Sequence, residues 1–256
     1  MMRSIYRTSA TLGVLMAVSA GTIMAQPEQP KVRSVIFSTV KAGRVGDYLS
    51  ATKDLTEAIK KAGSERSFSH WVSQSGDREY AVVRYHSKWA ELDNAPGSDP
   101  ALKGISGQLS ALNARINATI ESSRRVLYLL DHDLSLPVPD GSPQPIAQVL
   151  RTWVRPEHIE AYRSLVKSDL LPAAKNAGIK LYSVARVRAG AANQEYNTVS
   201  GLDNWAALDG VSPIVTALGG QAAYDKFLGK LRPMVSRTEY EFYRYLPNQS
   251  YLAPKK

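Results

Sequence analysis

Trp89-Ala90-Glu91-Leu92-Asp93 and Trp205-Ala206-Ala207-Leu208-Asp209 are one pattern written twice, 116 positions apart. Glu79-Tyr80 falls on Glu195-Tyr196 at the same spacing. Upstream the spacing shortens. Ala58-Ile59-Lys60-Lys61-Ala62-Gly63 falls on Ala173-Ala174-Lys175-Asn176-Ala177-Gly178 at 115. Tyr48 falls on Tyr162, and Val35-Ile36-Phe37-Ser38-Thr39-Val40 on Val149-Leu150-Arg151-Thr152-Trp153-Val154, at 114. Two single-residue insertions in the second copy account for the drift. Matches in this order mark an internal duplication.

Each copy predicts the same order of elements. Val32 to Val40 is rich in β-branched residues and reads as a strand. Val45, Leu49, Thr52, Leu55, Ile59 and Ala62 recur at helical spacing, and Gly63 supplies a C-terminal stop. Ser67–Val72 and Tyr80–Tyr85 read as strands joined by the polar turn 73–77. Trp89 opens a helical region, and a long helix carries Leu102, Ile105, Leu109, Leu112, Ile116 and Ile120 on one stripe. Val126–Leu130 is a fourth strand. The second copy predicts strands near 146–154, 180–188, 195–200 and 239–246, with helices near 157–177 and 213–236. Four prolines between 136 and 145 exclude regular structure and make a linker.

A strand–helix–strand–strand–helix–strand unit folds as a four-stranded antiparallel sheet with both helices on one face. Val35, Phe37, Val149 and Trp153 share one parity; Ile36, Val40, Leu150 and Val154 share the other. Both faces are apolar, so both are expected to be buried. Two units meet that demand by placing their open sheet faces together. The expected class is α+β: two tandem ferredoxin-like βαββαβ units, 32–133 and 146–246, packed sheet to sheet as an intrachain α+β barrel. Segment 134–145 links them and 247–256 is a tail.

Leu150-Arg151-Thr152-Trp153-Val154-Arg155-Pro156, followed by Ile159, Tyr162 and Leu165, resembles the opening of dimeric α+β barrel proteins. These include antibiotic-biosynthesis-type monooxygenases and NIPSNAP-like proteins. The resemblance implies a barrel around a central cavity, here formed within one chain. It also implies a range of functions, from cofactor-free oxygenation and haem chemistry to the sensing of small molecules, so it does not fix one.

Five residues are candidates for a ligand site: Phe37, His70, His86, Arg151 and Trp153. Arg151 and Trp153 share the parity of Val149 and are expected to face the cavity, away from the helices. A buried Arg needs a partner, which Glu195, Glu241 or a ligand anion could supply. His70 and His86 lie on or beside strands and could line the cavity. Neither has a histidine in the other copy; Leu202 stands opposite His86. Tyrosines on the strands suit an aromatic or lipid-like ligand. Trp89 and Trp205 are expected to pack helix against sheet. Asp131-His132-Asp133 sits in a turn leaving a strand, where adjacent residues do not converge on one ion.

No Gly-x-Ser-x-Gly and no phosphate loop occurs, and Gly219-Gly220 lies in a predicted helix without the strand and Lys of a P-loop. A haem would need an axial ligand such as His70, but nothing else marks one, so no cofactor and no metal are expected. With no Cys in the chain, thiolate metal sites and disulfides are excluded. The readings are then a binding protein for a small, mostly apolar or aromatic molecule, a cofactor-independent oxygenase, or a barrel whose core is simply filled.

The chain has 256 residues, 44% apolar and 21% charged, enough for a packed core. Its net charge of +9 is scattered, with no long basic run and no stripe of interleaved aromatics, so nucleic acid is not an expected partner. Arg3 and Arg7 precede an apolar, small-residue run from Ala10 to Met24. This is the pattern of a secretory signal at 1–25 and of periplasmic or extracellular placement; the acid-free, Ser/Thr-containing segment also fits a transit peptide. The run is too short for a membrane span.

Overall fold

The computed structural model describes residues 29–76, 78–93, 98–137 and 143–254. The expected signal segment, 1–25, and part of the linker, 138–142, lie outside the described residues. Strand β1 (Val32–Val40) leads to helix α1 (Val45–Ala62), then β2 (Ser69–Ser73) and β3 (Glu79–His86). Helix α2 (Ser106–Thr119) runs directly into β4 (Ile120–Leu130). The second half contains β5 (Ile146–Val154), α3 (Ile159–Leu165), α4 (Leu171–Asn176), β6 (Tyr182–Ala189) and β7 (Glu195–Leu202). It ends with α5 (Pro213–Ala217), α6 (Gln221–Leu231) and β8 (Val235–Tyr245).

The eight strands close into an antiparallel barrel in the order β1-β3-β2-β8-β5-β7-β6-β4, with β4 returning to β1. The first half supplies the consecutive run β4-β1-β3-β2 and the second half β8-β5-β7-β6. The halves are joined where Trp71 pairs with Tyr245 and where Tyr128 pairs with Val187. Closure leaves no sheet edge exposed for aggregation. Gly190 makes the second seam possible. Its φ is +86°, and a Cβ there would lie 2.0 Å from the Arg125 carbonyl oxygen.

Helix α1 has the limits that its periodicity and Gly63 predict. Gly63 adopts φ 71°, and its N–H donates back to the carbonyls of Ile59 and Lys60. Asp47 at its start and Lys60 and Lys61 at its end complement the helix dipole. The corresponding helix of the second half is interrupted by a π turn at Val166–Leu170, between α3 and α4. The spacing between the copies steps from 114 to 115 between Tyr162 and Ala173, so the inserted residue falls across this turn. A π turn takes one extra residue without rotating the next helical turns out of phase. Ala173 and Ala174 therefore still reach the core, as Ala58 and Ile59 do.

Three expectations need correcting. The stripe residue Ile120 begins β4 instead of ending α2. The expected helix 213–236 is split, because Gly219 and Gly220 both adopt positive φ, 106° and 91°. Trp89 and Trp205 do not pack the helices onto the sheet. They occupy equivalent 3-10 turns after β3 and β7 and are 41% and 40% exposed, Trp205 against the Phe242 ring.

Candidate ligand cavity

Strand parity sorts the barrel into two faces. Val35, Phe37, Trp71, Ala81, Val126, Tyr128, Ala147, Val149, Ala185, Val187 and Tyr243 form one buried cluster inside it. The outward faces meet the helices through separate clusters, one around Tyr48, Val72, Tyr80 and Ile116 and one around Val154, Tyr162, Val184 and Tyr196. The interior is not filled. A pocket of about 870 Å³ starts inside the barrel among Val35, Phe37, Trp71, Ala81, Val83, Ala147, Val149 and Val199, with Arg33, Tyr128, Arg151, Asn197 and Tyr243 as polar groups, and continues outside it to Arg84, His86, Arg125 and the exposed Glu65, Arg66 and Asp93.

The ends of the barrel differ in charge. At one end Arg151 lies 2.8 Å from Glu241 and 3.8 Å from Glu79, and Arg124 lies 3.0 Å from Glu79. The Tyr243 hydroxyl is 2.7 Å from Glu79 and 2.9 Å from Glu241, one proton between two carboxylates. Burial, Glu241 and Glu79 together push the Tyr243 phenol well above its ordinary range. Arg124 and Arg151 also cover the Phe37 ring, at 4.2 and 5.5 Å. Beside them Glu195 is buried with Oε1 lacking a hydrogen-bond partner, and burial raises its pKa despite Arg151 and Arg124. These two guanidinium and three carboxyl groups form a lattice that plugs this end.

The opposite end carries Arg33. It is 3% exposed, donates from Nη2 to Asn197 Oδ1 across the barrel, and lies 4.7 Å over the Tyr128 ring. No carboxylate pairs with it among the described residues, and its buried Nε has no partner. Sequence reasoning missed this residue, although it shares the parity of Val35 and Phe37.

Of the five residues singled out from sequence, the structure brings Phe37 and Arg151 together inside the barrel, where both line the cavity. Arg151 has found Glu241, one of its expected partners. Trp153 has the interior parity but stands beyond Arg151, under the Arg237 guanidinium at 4.8 Å, and does not line the cavity. His70 does not line it either. Its neighbour Trp71 takes the interior position, so His70 points under α1, where its Nε2 is 2.8 Å from the Tyr48 hydroxyl. Burial lowers its pKa to about 4 and commits it to a neutral, structural role. That ring nitrogen is unavailable as an axial ligand.

His86 does line the cavity wall, but from the outward face of β3, which it shares with Val82 and Arg84. The expectation that both faces are buried fails at this place. Ile36 is 37% exposed, and Arg84 and Arg125 flank it because the helices do not cover this part of the sheet. Arg125 Nε donates to Ser34 Oγ at 2.9 Å. His86 Nδ1 is 3.7 Å from Glu91, while its Nε2 is buried without a partner. In the second half Ser200, Tyr240 and Leu202 occupy the corresponding positions, so these charges belong to one half only. The Asp131-His132-Asp133 run is divided among three partners: Arg163, the Pro30 carbonyl and Lys167. Among the described residues no group of His, Cys, Asp and Glu could hold a metal, and no helix is long and apolar enough to cross a membrane.

No protein-family model matches the chain, and no curated protein matches it in sequence. Its fold has clear counterparts. A candidate monooxygenase from Lactobacillus acidophilus superposes with a TM-score of 0.58 at 9% identity, over 85% of this chain and 94% of that one. A candidate monooxygenase from Fusobacterium nucleatum gives 0.58 at 14%, over 89% and 98%. An anthrone oxidase-like protein gives 0.54 at 13%, over 86% and 92%. The shared feature is the fold, that of the dimeric α+β barrels; identities this low carry no function with them.

Proposed function

We propose that the protein binds a small, mostly apolar molecule inside the barrel. One observation carries this reading: protein interiors are close-packed, yet here a pocket walled by Val and Ala side chains runs into the centre of the barrel. Together with its outer part among Arg84, His86 and Arg125 it measures about 870 Å³, the size of a small-molecule site. The test is fluorescence of the uncharged dye N-phenyl-1-naphthylamine. The parent should bind it with one saturable site, and Ala147→Phe, which intrudes on the cavity, should weaken binding. A parent that binds no dye, or an Ala147→Phe variant that binds it equally, refutes the reading.

The architecture behind the cavity is, on this proposal, a fused pair of ferredoxin-like units, 32–133 and 146–246, joined by 134–145. Details repeat at matched positions. Tyr48 packs on Tyr80 at 4.6 Å and Tyr162 on Tyr196 at 4.9 Å, with interplanar angles of 53° and 51°. Gly63 and Gly178 both take the left-handed conformation after a helix. Residues 1–25 are proposed as an export signal that places the mature chain in the periplasm or outside the cell. N-terminal sequencing from the native host tests this, and a mature chain starting at Met1 refutes it.

A second reading, cofactor-independent oxygenation, is favoured by the fold shared with the anthrone oxidase-like protein. His86 is the group suited to take a proton from such a substrate. Burial, helped by Arg125, Arg84 and Arg66 and opposed by Glu91, lowers its pKa, so it is a neutral base near pH 7. Oxygen uptake with an anthrone, lost in His86→Gln, would establish this reading; no uptake would remove it.

A further inference from the structure

Inside the barrel, Arg33 is a feature of the cavity that apolar binding does not explain. A buried guanidinium cannot shed its charge, because an Arg stays protonated throughout the accessible pH range. Burying it is costly, and proteins offset the cost with a carboxylate or an ample set of acceptors. Arg151, also largely buried in the interior, follows that rule through Glu241. Arg33 has one neutral acceptor, Asn197, and the face of Tyr128, while its Nε has none. Arg33 and Asn197 both line the cavity; Arg33 enters from the end away from the Glu79–Glu241 lattice, and Asn197 sits beside Arg151, its partner in the β5–β7 pairing.

We infer that Arg33, with Asn197 holding it in place, anchors the carboxylate of an amphipathic ligand whose apolar body lies along Val35, Val149 and Val199. The inference rests on the binding reading above and supplies its ligand class. Arg33 has no ion pair of its own among the described residues, and a single guanidinium suits a monoanion rather than a dianion. A guanidinium with an unused Nε–H beside a second N–H presents the two-donor edge that a carboxylate fits. Asn197 comes from β7 and Arg33 from β1, so the site exists only because both halves form one barrel.

The experiment is displacement of N-phenyl-1-naphthylamine by decanoate, decanol and decyl phosphate, for the parent, Arg33→Met, Arg33→Gln and the outer pair Arg84→Gln/Arg125→Gln. The parent should bind decanoate about tenfold or more tighter than decanol, the yield of a hydrogen bond to a charged group. Decyl phosphate should bind no tighter than decanoate. Arg33→Met and Arg33→Gln should still bind dye, should be no less stable than the parent when empty, and should lose the preference to within about twofold. The outer pair should keep it. Equal binding of decanoate and decanol by the parent overturns the inference and leaves the cavity reading standing. A preference that survives both Arg33 variants, or disappears with Arg84 and Arg125, also overturns it, placing the anion on the outer face. Tighter decyl phosphate overturns the carboxylate class. No dye binding by the parent removes both readings together.

Discussion

Replacing Arg151 by Met removes the cation that joins the halves at the plugged end of the barrel. Arg151 belongs to β5, and it pairs with Glu241 of β8 and Glu79 of β3. Its side chain is 13% exposed and that of Glu241 23%, so the pair is largely desolvated. Breaking a buried pair costs about 3–5 kcal/mol, since the surviving charge is stranded. Residual exposure, together with the Arg124 contact retained by Glu79, points to the low end, about 3 kcal/mol. For a domain of this size that is a fall in Tm of about 6–12 °C. Urea unfolding at pH 7 should show the loss with an unchanged m-value. It should shrink in acid, where carboxylates take up protons and no longer need a cation. Arg151→Met/Glu241→Gln should recover most of it, because the stranded charge is then gone. An Arg151→Met protein within about 0.5 kcal/mol of the parent would refute the ion-pair argument. Loss of a preference for decanoate over decanol at unchanged stability would make Arg151 a ligand clamp instead.

Three further outcomes are expected. His70 has a pKa near 4 in the fold against 6.5 unfolded, so below pH 6.5 the unfolded chain takes the proton first. Its share of stability is complete above pH 6.5 and is lost as pH falls towards 4, by about 3 kcal/mol; His70→Gln should flatten that part of the urea-derived profile, and an unchanged slope would refute it. Gly190→Ala should cost more than about 3 kcal/mol or prevent folding, since its Cβ would overlap the Arg125 carbonyl at the β4–β6 seam. Gly178→Ala, with a similar φ but nothing within 4 Å, should cost only about 1 kcal/mol; thermal melts that rank the two alike would refute the seam argument. Deleting Lys167, exposed in the π turn, should cost less than about 1 kcal/mol, because the helix can close to regular α geometry. Deleting Lys60 from α1 should cost several times more, because it displaces Gly63 from the cap; equal costs would show that the π turn does not hold the inserted residue.

Local pattern carried much of this protein. The limits of β1, β5 and α1 are legible because β-branched runs, helical spacing and a terminal Gly act over a few residues. The spacing between the two halves of the sequence also shifts by one residue across the stretch that holds the π turn. Alternation placed Arg151 and Phe37 on the inner face, since the pleat leaves no other choice. The same alternation could have placed Arg33 there, next to Val35. It failed for His70, which sits in a five-residue strand buried along its whole length, where composition does not distinguish inside from outside. It failed for Ile36 because an apolar residue does not reveal where a helix layer stops. Other facts belong to the tertiary structure alone. Residues far apart in sequence decide whether a buried charge is neutralised: Arg151 meets Glu241, while Arg33 meets the neutral Asn197, 164 positions away, and the Tyr128 ring. Spacing along the chain cannot encode that difference, because a charge partner is chosen by distance in space, and closure of the barrel sets that distance.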